Sequence, residues 1–384
     1  MKVGIFIDNF FTTQTYKDPG VIAESLFKLG HEVTIYCFNT DLKNFNTLIV
    51  KQISQTASRN SDFWKKETID SLILYSWLSL RFSALIKALK QAEKKIILKL
   101  DTDGHLIYPL KPTYLRTFGR DNSPKQLLIH LARLVQWSLF FKSISRRRLT
   151  QLTLCDAAIV ESPLALTNLK NSLSIWHREE ILKKLNFIPN PINSDIINSV
   201  TNKPTNFPKE NIIICIGRWD DKQKNRTGLI KSLNKTNLEN WRLVIIGSGA
   251  SRVKSQLKST QPQLSVEAIE SLPHHSINEQ LSKAKIFLAP SNHESFNLAA
   301  AEALCSGCSL AGTPLESFAY FSDQGRYGTL AVNFQATKIS RALATEIGRW
   351  NRQEYNPQNT ANYWREQLSP ETIGQKIAAL LLNL

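Results

Sequence analysis

The stretch from Ala289 to Thr313, APSNHESFNLAAAEALCSGCSLAGT, decides the fold because it joins an apolar strand to a turn and an alanine-rich helix. Two carboxylates interrupt this apolar segment: Glu294 in the turn and Glu302 inside the helix. An unpaired charge among apolar residues is costly, so Glu302 in particular indicates a function. The alternative interpretation is an ordinary first-turn acid at Glu294 and a solvated helix residue at Glu302.

The same strand and helix alternation organises the whole chain of 384 residues. It runs from KVGIFID at the N-terminus to NFIPN, and it restarts with NIIICIGR. The polar segment Ser199–Asn211 between these two series has no periodicity and indicates a linker. We therefore predict two doubly wound α/β domains, at residues 1–198 and 199–369, and a C-terminal helix at 370–384.

Composition is typical of a globular protein, with 42% hydrophobic and 21% charged residues. The five cysteines form no even framework and indicate reduced thiols in a cytoplasmic protein. Cys305 and Cys308 form a single C-x-x-C without a second pair, which argues against a zinc site. We expect a soluble chain, since there is no signal peptide and no apolar run approaches eighteen residues.

The net charge of +16 is concentrated in one segment, Lys111–Thr150, which holds nine Lys and Arg residues against the single acid Asp121. Leucine and aromatic residues are interleaved with these cations. One interpretation is a basic amphipathic helix on the anionic inner face of a membrane. A second is a helix that packs its apolar side on the domain. Nucleic-acid binding is disfavoured because no nucleic-acid module surrounds the segment.

The chemistry of the opening stretch follows from its place at the carboxyl end of a strand, where open α/β sheets bind ligands. We predict that the helix begins near Asn297 or Leu298, so that its first N–H groups and dipole favour phosphate oxygens. Carboxylates such as Glu294 and Glu302 accept hydrogen bonds from sugar hydroxyls. An anion site flanked by hydroxyl acceptors predicts a nucleotide-sugar site.

These residues resemble the E-x7-E signature of retaining GT-B glycosyltransferases, most closely glycosyltransferase family 4. The agreement covers Pro290, Ser291, Glu294, Phe296, Glu302, Ala303 and Gly307. The segment IGRWDDKQKN is similar to the family's Gly-Arg…Lys-Gly/Asn element, and VIIGSG is similar to its Gly-x-Gly strand end. The resemblance implies the GT-B fold, in which two Rossmann-like domains face each other across a cleft. The N-terminal domain would bind the acceptor and the C-terminal domain the nucleotide sugar, and the helix at 370–384 would pack back on the N-terminal domain.

The resemblance also implies site residues. It implies a catalytic set of Glu294, Arg218, Lys224 and His105. It implies a donor-binding set of Glu302, Ser295, Phe296, Asn297, Leu298, Gly217 and Gly20. Within these sets, Glu302 would hold the nucleotide ribose, and Glu294 would contact the transferred sugar or its phosphate. Arg218 and Lys224 would neutralise the departing diphosphate, with no metal and no cofactor besides the nucleotide-sugar substrate, a UDP- or GDP-sugar.

The sequence departs from the family pattern at several positions. Asn297 replaces the glycine of the family's Phe-Gly pair, and Pro191 replaces the glycine after Ile-Pro-Asn. Asp18-Pro19-Gly20 stands where the family has a Gly-Gly loop. The interval from Arg218 to Lys224 is one residue longer than usual, which makes Lys222 a rival for the cationic role.

A D-x-D sequence, Asp101-Thr102-Asp103, resembles a metal motif of the other glycosyltransferase fold. Because it follows a strand of the N-terminal domain, we interpret it as a turn rather than a metal site. His105, two residues later, has two interpretations: a structural loop residue, or the histidine that often faces the transferred sugar in family 4.

The prediction from sequence is a metal-independent, retaining hexosyltransferase that moves a sugar from a nucleotide donor to a glycan, lipid or small-molecule acceptor. The alternative is a catalytically silent GT-B protein that binds a glycan or a partner as a scaffold. The retained carboxylates and cations favour the enzyme, and the replaced glycines favour the scaffold.

Overall fold

The computed structural model describes residues 1–106, 124–193 and 209–384. Contacts divide the chain into two compact units: unit 1, residues 1–191 and 370–384, and unit 2, residues 192–369. The predicted boundary at residue 198, most of the predicted linker and residues 111–123 of the basic segment lie outside the described residues. Helices and strands are numbered below in chain order.

Unit 1 contains one eight-stranded sheet. Its strands are β1 (Lys2–Phe10), β2 (Glu32–Thr40), β3 (Asn44–Phe45), β4 (Leu48–Gln52), β5 (Ser71–Tyr75), β6 (Lys95–Lys99), β7 (Ala157–Val160) and β8 (Leu185–Phe187). The spatial order is β3-β4-β2-β1-β5-β6-β7-β8, and all neighbours are parallel except the short pair β3 and β4. The order reverses between β1 and β5, which is a topological switch point.

Helices connect these parallel strands. They are α1 (Thr12–Thr15), α2 (Asp18–Lys28), α3 (Gln55–Ser58), α4 (Ser61–Lys66), α5 (Ser83–Gln91), α6 (Pro124–Leu154) and α7 (Pro163–Ile175). Local sequence explains several boundaries. Pro19 stands in the first turn of α2, and Gly30 adopts a left-handed φ of 85° just beyond its end. Ser162 caps α7 by accepting a hydrogen bond from the Ala165 N–H.

Unit 2 contains a six-stranded parallel sheet. Its strands are β9 (Glu210–Ile216), β10 (Arg242–Ile246), β11 (Val266–Ile269), β12 (Ala284–Ala289), β13 (Ser309–Gly312) and β14 (Gly328–Leu330). The spatial order β11-β10-β9-β12-β13-β14 is the 3-2-1-4-5-6 order of a dinucleotide-binding fold. The switch point lies between β9 and β12, so the loops after these two strands are where a ligand is expected.

The helices of unit 2 follow its strands in turn. They are α8 (Arg226–Leu233), α9 (Ala250–Thr260), α10 (His274–Lys283), α11 (Leu298–Cys305), α12 (Glu316–Ser322), α13 (Ala336–Asn351) and α14 (Pro357–Leu368). The last helix, α15 (Pro370–Leu382), belongs to unit 1, where it packs on α2.

Each unit has apolar residues on both faces of its sheet, as parallel strands covered by helices require. All five cysteines are buried and none is in a disulfide. Within the described ranges, no helix combines the length and apolar character needed to cross a membrane.

Candidate functional site

Two loops meet at the switch point of the unit 2 sheet. The first, residues 217–225, follows β9 and contains a short 3-10 turn at Lys222–Lys224. The second, residues 290–297, follows β12 and leads into α11. Hydrogen bonds join the loops: the Asn225 side chain donates to the Pro290 carbonyl at 2.9 Å, and the Asn292 N–H donates to the Gln223 carbonyl at 2.8 Å.

Glu294 stands at the junction of the two loops. Its Oε1 lies 2.6 Å from Lys224 Nζ and accepts from the Ser291 hydroxyl at 2.8 Å, while its Oε2 accepts from Gln223 Nε2 at 3.2 Å. The Glu294 side chain is only 7% exposed, so Lys224 compensates a carboxylate that is largely shielded from water. The structure therefore brings together Lys224 and Glu294, which were predicted separately, and adds Ser291 and Gln223.

The turn into α11 is built around Asn297. This residue adopts a left-handed conformation, with φ 72°, and its side chain accepts a hydrogen bond from the Ala300 N–H at 3.0 Å. Asparagine tolerates the left-handed region better than most non-glycine residues. Asn297 thus adopts a conformation that glycine also allows, and its side chain caps the helix. The predicted helix start is confirmed, since α11 begins at Leu298.

The other predicted residues of this turn divide into core and surface. Phe296 is buried, and its ring packs edge-on against Phe321 at 5.0 Å between centroids. Ser295 and Leu298 are partly exposed. The Phe296 side chain therefore anchors the turn in the core.

Glu302 lies one turn inside α11 and is buried. Its Oε1 lies 3.0 Å from Nε2 of His274, the first residue of α10. His274 was not predicted from the sequence, because nothing in the PHHS segment links it to a carboxylate 28 positions away. This pairing resolves the question raised by a charge among alanines: Glu302 has a polar partner.

The loop after β9 separates the predicted cations. Arg218 is exposed and pairs with Asp221 at 3.2 Å, and the Lys222 side chain is also exposed. Lys224 pairs with Glu294 at 2.6 Å. Gly217 serves this arrangement sterically, since a Cβ there would approach the Lys224 side-chain carbons at 3.1 Å. The geometry thus favours Lys224 over its rival Lys222.

Two predicted residues, Gly20 and His105, belong to unit 1. Gly20 is buried within α2, where a Cβ would lie 2.5 Å from the Thr15 carbonyl oxygen, so only glycine fits this close approach. His105 is partly exposed beyond β6, and its backbone N–H donates to Asp103 Oδ1 at 3.2 Å.

The D-x-D segment adopts a turn whose carboxylates are engaged within the protein. Asp101 Oδ2 accepts from the Trp77 indole N–H at 3.2 Å, and the Asp101 N–H donates to Glu161. In the described parts of the chain, no group of three or more His, Cys, Asp or Glu side chains is arranged to hold a metal ion.

A buried charge network lies at the carboxyl ends of β6 and β7. It was not predicted from the sequence. Lys99 is fully buried and contacts Glu161 at 2.7 Å, the Asn190 side-chain oxygen, and Asp18 at 3.8 Å. Burial disfavours the charged ammonium, but the neighbouring carboxylates Glu161, Asp18 and Asp101 outweigh it and raise the pKa of Lys99. The network fixes the strand ends of unit 1 around one paired lysine.

Comparison with known proteins agrees with this architecture. Residues 198–362 match the family model of glycosyl transferases group 1. No curated protein sequence matches the chain.

Solved structures are similar over the whole chain. HepE from Anabaena in complex with UDP and glucose is 12% identical with a TM-score of 0.67, and the match covers 100% of both chains. A glycosyltransferase from Rickettsia africae is 12% identical with a TM-score of 0.70, covering 99% of this chain and 97% of that one. Sucrose-phosphate synthase from Thermosynechococcus elongatus is 14% identical with a TM-score of 0.68, covering 100% and 98%. The predicted GT-B class, with two Rossmann-like parallel α/β units, is confirmed.

Proposed function

We propose that this chain is a glycosyltransferase that uses a nucleotide-diphosphate sugar as donor. The observation that carries the proposal is the junction of Lys224 and Glu294 at the switch point of unit 2, next to the start of α11. The family match covers this site, and the similar HepE structures contain UDP, UDP with glucose, and UDP-glucose.

The proposed donor contacts follow from the chemistry of each group. Asn297 caps the Ala300 N–H, so the N–H groups of Leu298 and Ala299 at the start of α11 suit the diphosphate oxygens, as does the Lys224 ammonium. Glu302 accepts hydrogen bonds from the ribose diol, and its contact with His274 fixes Oε1 in place. Glu294 contacts the transferred sugar or the phosphate beside it.

The proposed reaction is transfer with retention and without a metal. Negative charge grows on the diphosphate as the bond to the sugar breaks, and preorganised cations and helix N–H groups stabilise it. In this proposal Arg218 is drawn from its exposed position to the departing diphosphate.

Incubation with a panel of UDP- and GDP-sugars tests the proposal. We expect release of UDP or GDP from at least one donor, by slow hydrolysis or by transfer to an added glycan. If the folded protein neither binds nor turns over any of these donors, the glycosyltransferase proposal is wrong and only the scaffold alternative is left.

We further propose that the enzyme acts in the cytoplasm at an anionic membrane surface, through α6. Leu128, Leu131, Val135 and Leu139 are spaced three or four residues apart, so they share one face of the helix. Their exposure ranges from 48% to 71%. The exposed cations Lys142 and Arg146 continue this side of the helix, where each contributes about 1 kcal/mol near anionic lipid.

Vesicle co-sedimentation tests the membrane contact. Binding should require anionic lipid, fall as salt rises, and weaken in a Val135→Ser and Leu139→Ser double variant. Ile175→Ser is the control, because Ile175 is also exposed in unit 1, at 76%, but lies on α7. Equal binding by all three proteins, or binding indifferent to salt and lipid charge, would contradict this proposal.

A further inference from the structure

Unit 1 contains a cavity of about 530 Å³ whose described lining is cationic. It lies between the turn Leu80–Phe82, helix α5 and helix α6. Four basic side chains line it: Arg59, Arg81, Lys87 and Arg147. No Asp or Glu belongs to this described lining. Arg81 pairs with Asp8, and the three other cations around this concave space repel each other and raise the local concentration of anions.

The cationic side chains come from separate parts of the chain, and one of them is held in place. The Arg81 guanidinium lies 4.6 Å from the Phe82 ring centroid and forms an ion pair with Asp8. Asp8 is near the carboxyl end of β1, and Arg81 follows β5, so this pair stands at the switch point of the unit 1 sheet. The cavity is therefore connected to the edge of the sheet where ligands of α/β proteins bind.

A buried polar group also lines the cavity. Gln151 is 1% exposed, and its Nε2 donates to the Ser79 carbonyl and the Ser83 hydroxyl, both at 2.9 Å. Its Oε1 is buried and accepts no hydrogen bond from the described residues. A buried acceptor without a donor costs free energy, which a ligand hydroxyl would recover.

We propose that this cavity binds a phosphate or diphosphate group of the acceptor substrate. Identification of the ligand as the acceptor rests on the proposed function, whereas the anion site itself does not. Guanidinium groups pair with phosphate oxygens through two parallel hydrogen bonds, and lysine adds a point charge. Rotation of the Gln151 amide toward the cavity would let its Oε1 accept a hydrogen bond from a hydroxyl of the same head group. The volume lies within the range of small-molecule sites.

Calorimetric titration with inorganic pyrophosphate tests the anion site. The titration is repeated in Lys224→Gln, which removes the cation of the diphosphate contacts proposed in unit 2, so that binding to the cavity is measured separately. A Lys87→Gln and Arg147→Gln double variant should raise the pyrophosphate Kd at least roughly tenfold, since each removed contact is charge-assisted. The matched control is Lys170→Gln with Lys183→Gln, which removes the same charge from exposed positions of unit 1 outside both the cavity and α6.

Vesicles distinguish the source of the phosphate. Phosphatidylcholine vesicles with added phosphatidic acid present a phosphomonoester, and matched vesicles with phosphatidylserine present a similar charge without one. If the Lys87→Gln and Arg147→Gln double variant loses binding to the phosphatidic acid vesicles but not to the phosphatidylserine vesicles, the ligand is a lipid head group. If the double variant binds pyrophosphate more weakly but binds both kinds of vesicle as the unaltered protein does, the ligand is a soluble phosphate ester.

The proposal is overturned if pyrophosphate does not bind, or if the cavity and control variants change its Kd equally. Release of nucleotide from the donor panel is scored separately on the unaltered protein. Failure there would remove the donor proposal, while the pyrophosphate titration would still decide the cavity.

Discussion

At the residue scale, the candidate site depends on pairs rather than on single side chains. Glu294 is shielded from water and tolerated because Lys224, Ser291 and Gln223 all donate to it. Glu302 is similarly tolerated among alanines because His274 contacts it. Removing one partner therefore also leaves the other largely shielded from water and without that contact. Substitutions that keep the side-chain shape, such as Glu to Gln, are the most informative for this reason.

Glu302→Gln should weaken donor binding about ten- to a hundredfold, because a hydrogen bond to a charged group contributes roughly 1.5–3 kcal/mol. Calorimetric titration with UDP measures the effect. Glu279→Gln on the exposed side of α10 is the control and should bind UDP as the unaltered protein does. Unchanged affinity in Glu302→Gln would show that the ribose lies elsewhere.

Lys224→Gln should lower kcat by roughly a hundredfold or more, the usual cost of losing a group that stabilises transition-state charge. Lys222→Gln should leave turnover close to that of the unaltered enzyme, since the Lys222 side chain is exposed while Lys224 pairs with Glu294. Nucleotide release at saturating donor measures both. The reverse ranking would assign the role to Lys222.

Glu67 should make stability depend on acid pH. Burial alone would raise its pKa, but hydrogen bonds from Lys51 at 2.7 Å and the Tyr36 hydroxyl at 2.6 Å outweigh burial and lower it. The unfolded chain, with a pKa of 4.5 at this residue, takes up the proton first as pH falls. The stabilisation is therefore present above that value and is lost as pH falls through the folded-state pKa.

Denaturant unfolding between about pH 7 and pH 3 measures this dependence. The free energy of unfolding should fall less steeply in Glu67→Gln than in the unaltered protein. Glu32→Gln, at a carboxylate 75% exposed in the same unit, is the control. Parallel curves for all three proteins would contradict the role of Glu67.

At the scale of elements, close helix contacts explain details that the amphipathic pattern leaves open. The last helix, α15, approaches α2 so closely that a Cβ on Gly374 would lie 2.7 Å from Ser25 Cβ. Ser25 is itself buried, so there is little room for adjustment. Glycine is unfavourable for a helix interior, and its presence here reflects packing between α2 and α15.

Gly374→Ala should destabilise the protein by about 1–3 kcal/mol, the typical cost of overpacking, even though alanine favours helix. Gly348→Ala on α13 is the matched control, because the added methyl meets only the flexible end of Arg352, at 3.1 Å. That variant should gain up to about 1 kcal/mol from helix propensity. Thermal and denaturant unfolding compare them. If Gly374→Ala is more stable than the unaltered protein, α15 does not pack against α2 closely enough to exclude a methyl group.

At the scale of the whole molecule, each unit has its own parallel sheet and its own apolar core. The candidate donor residues other than Gly20 lie in unit 2, and the cationic cavity lies in unit 1. The net charge of +16 gives both anionic substrates and anionic surfaces a favourable long-range field.

Turnover should survive chelation by EDTA, because Lys224 and helix N–H groups are proposed to meet the diphosphate charge without a metal. A glycosyltransferase with a known requirement for a divalent ion serves as the positive control for chelation. Loss of activity in EDTA, restored by added Mg²⁺ or Mn²⁺, would contradict this expectation and favour a metal site at Asp101 and Asp103.

The sequence by itself determined the alternation of strands and helices, the Glu294 and Glu302 spacing, and the start of α11, because these are local patterns of hydrophobicity and capping. It did not predict β4, whose pairing with β2 gives Leu48–Gln52 its strand. Only the tertiary structure decided that Lys224 meets Glu294 from 70 positions away and that Glu302 meets His274. The same holds for the cavity formed by Arg59, Arg81, Lys87 and Arg147. These meetings depend on sheet order and helix packing, which bring distant positions together in ways that no local periodicity encodes.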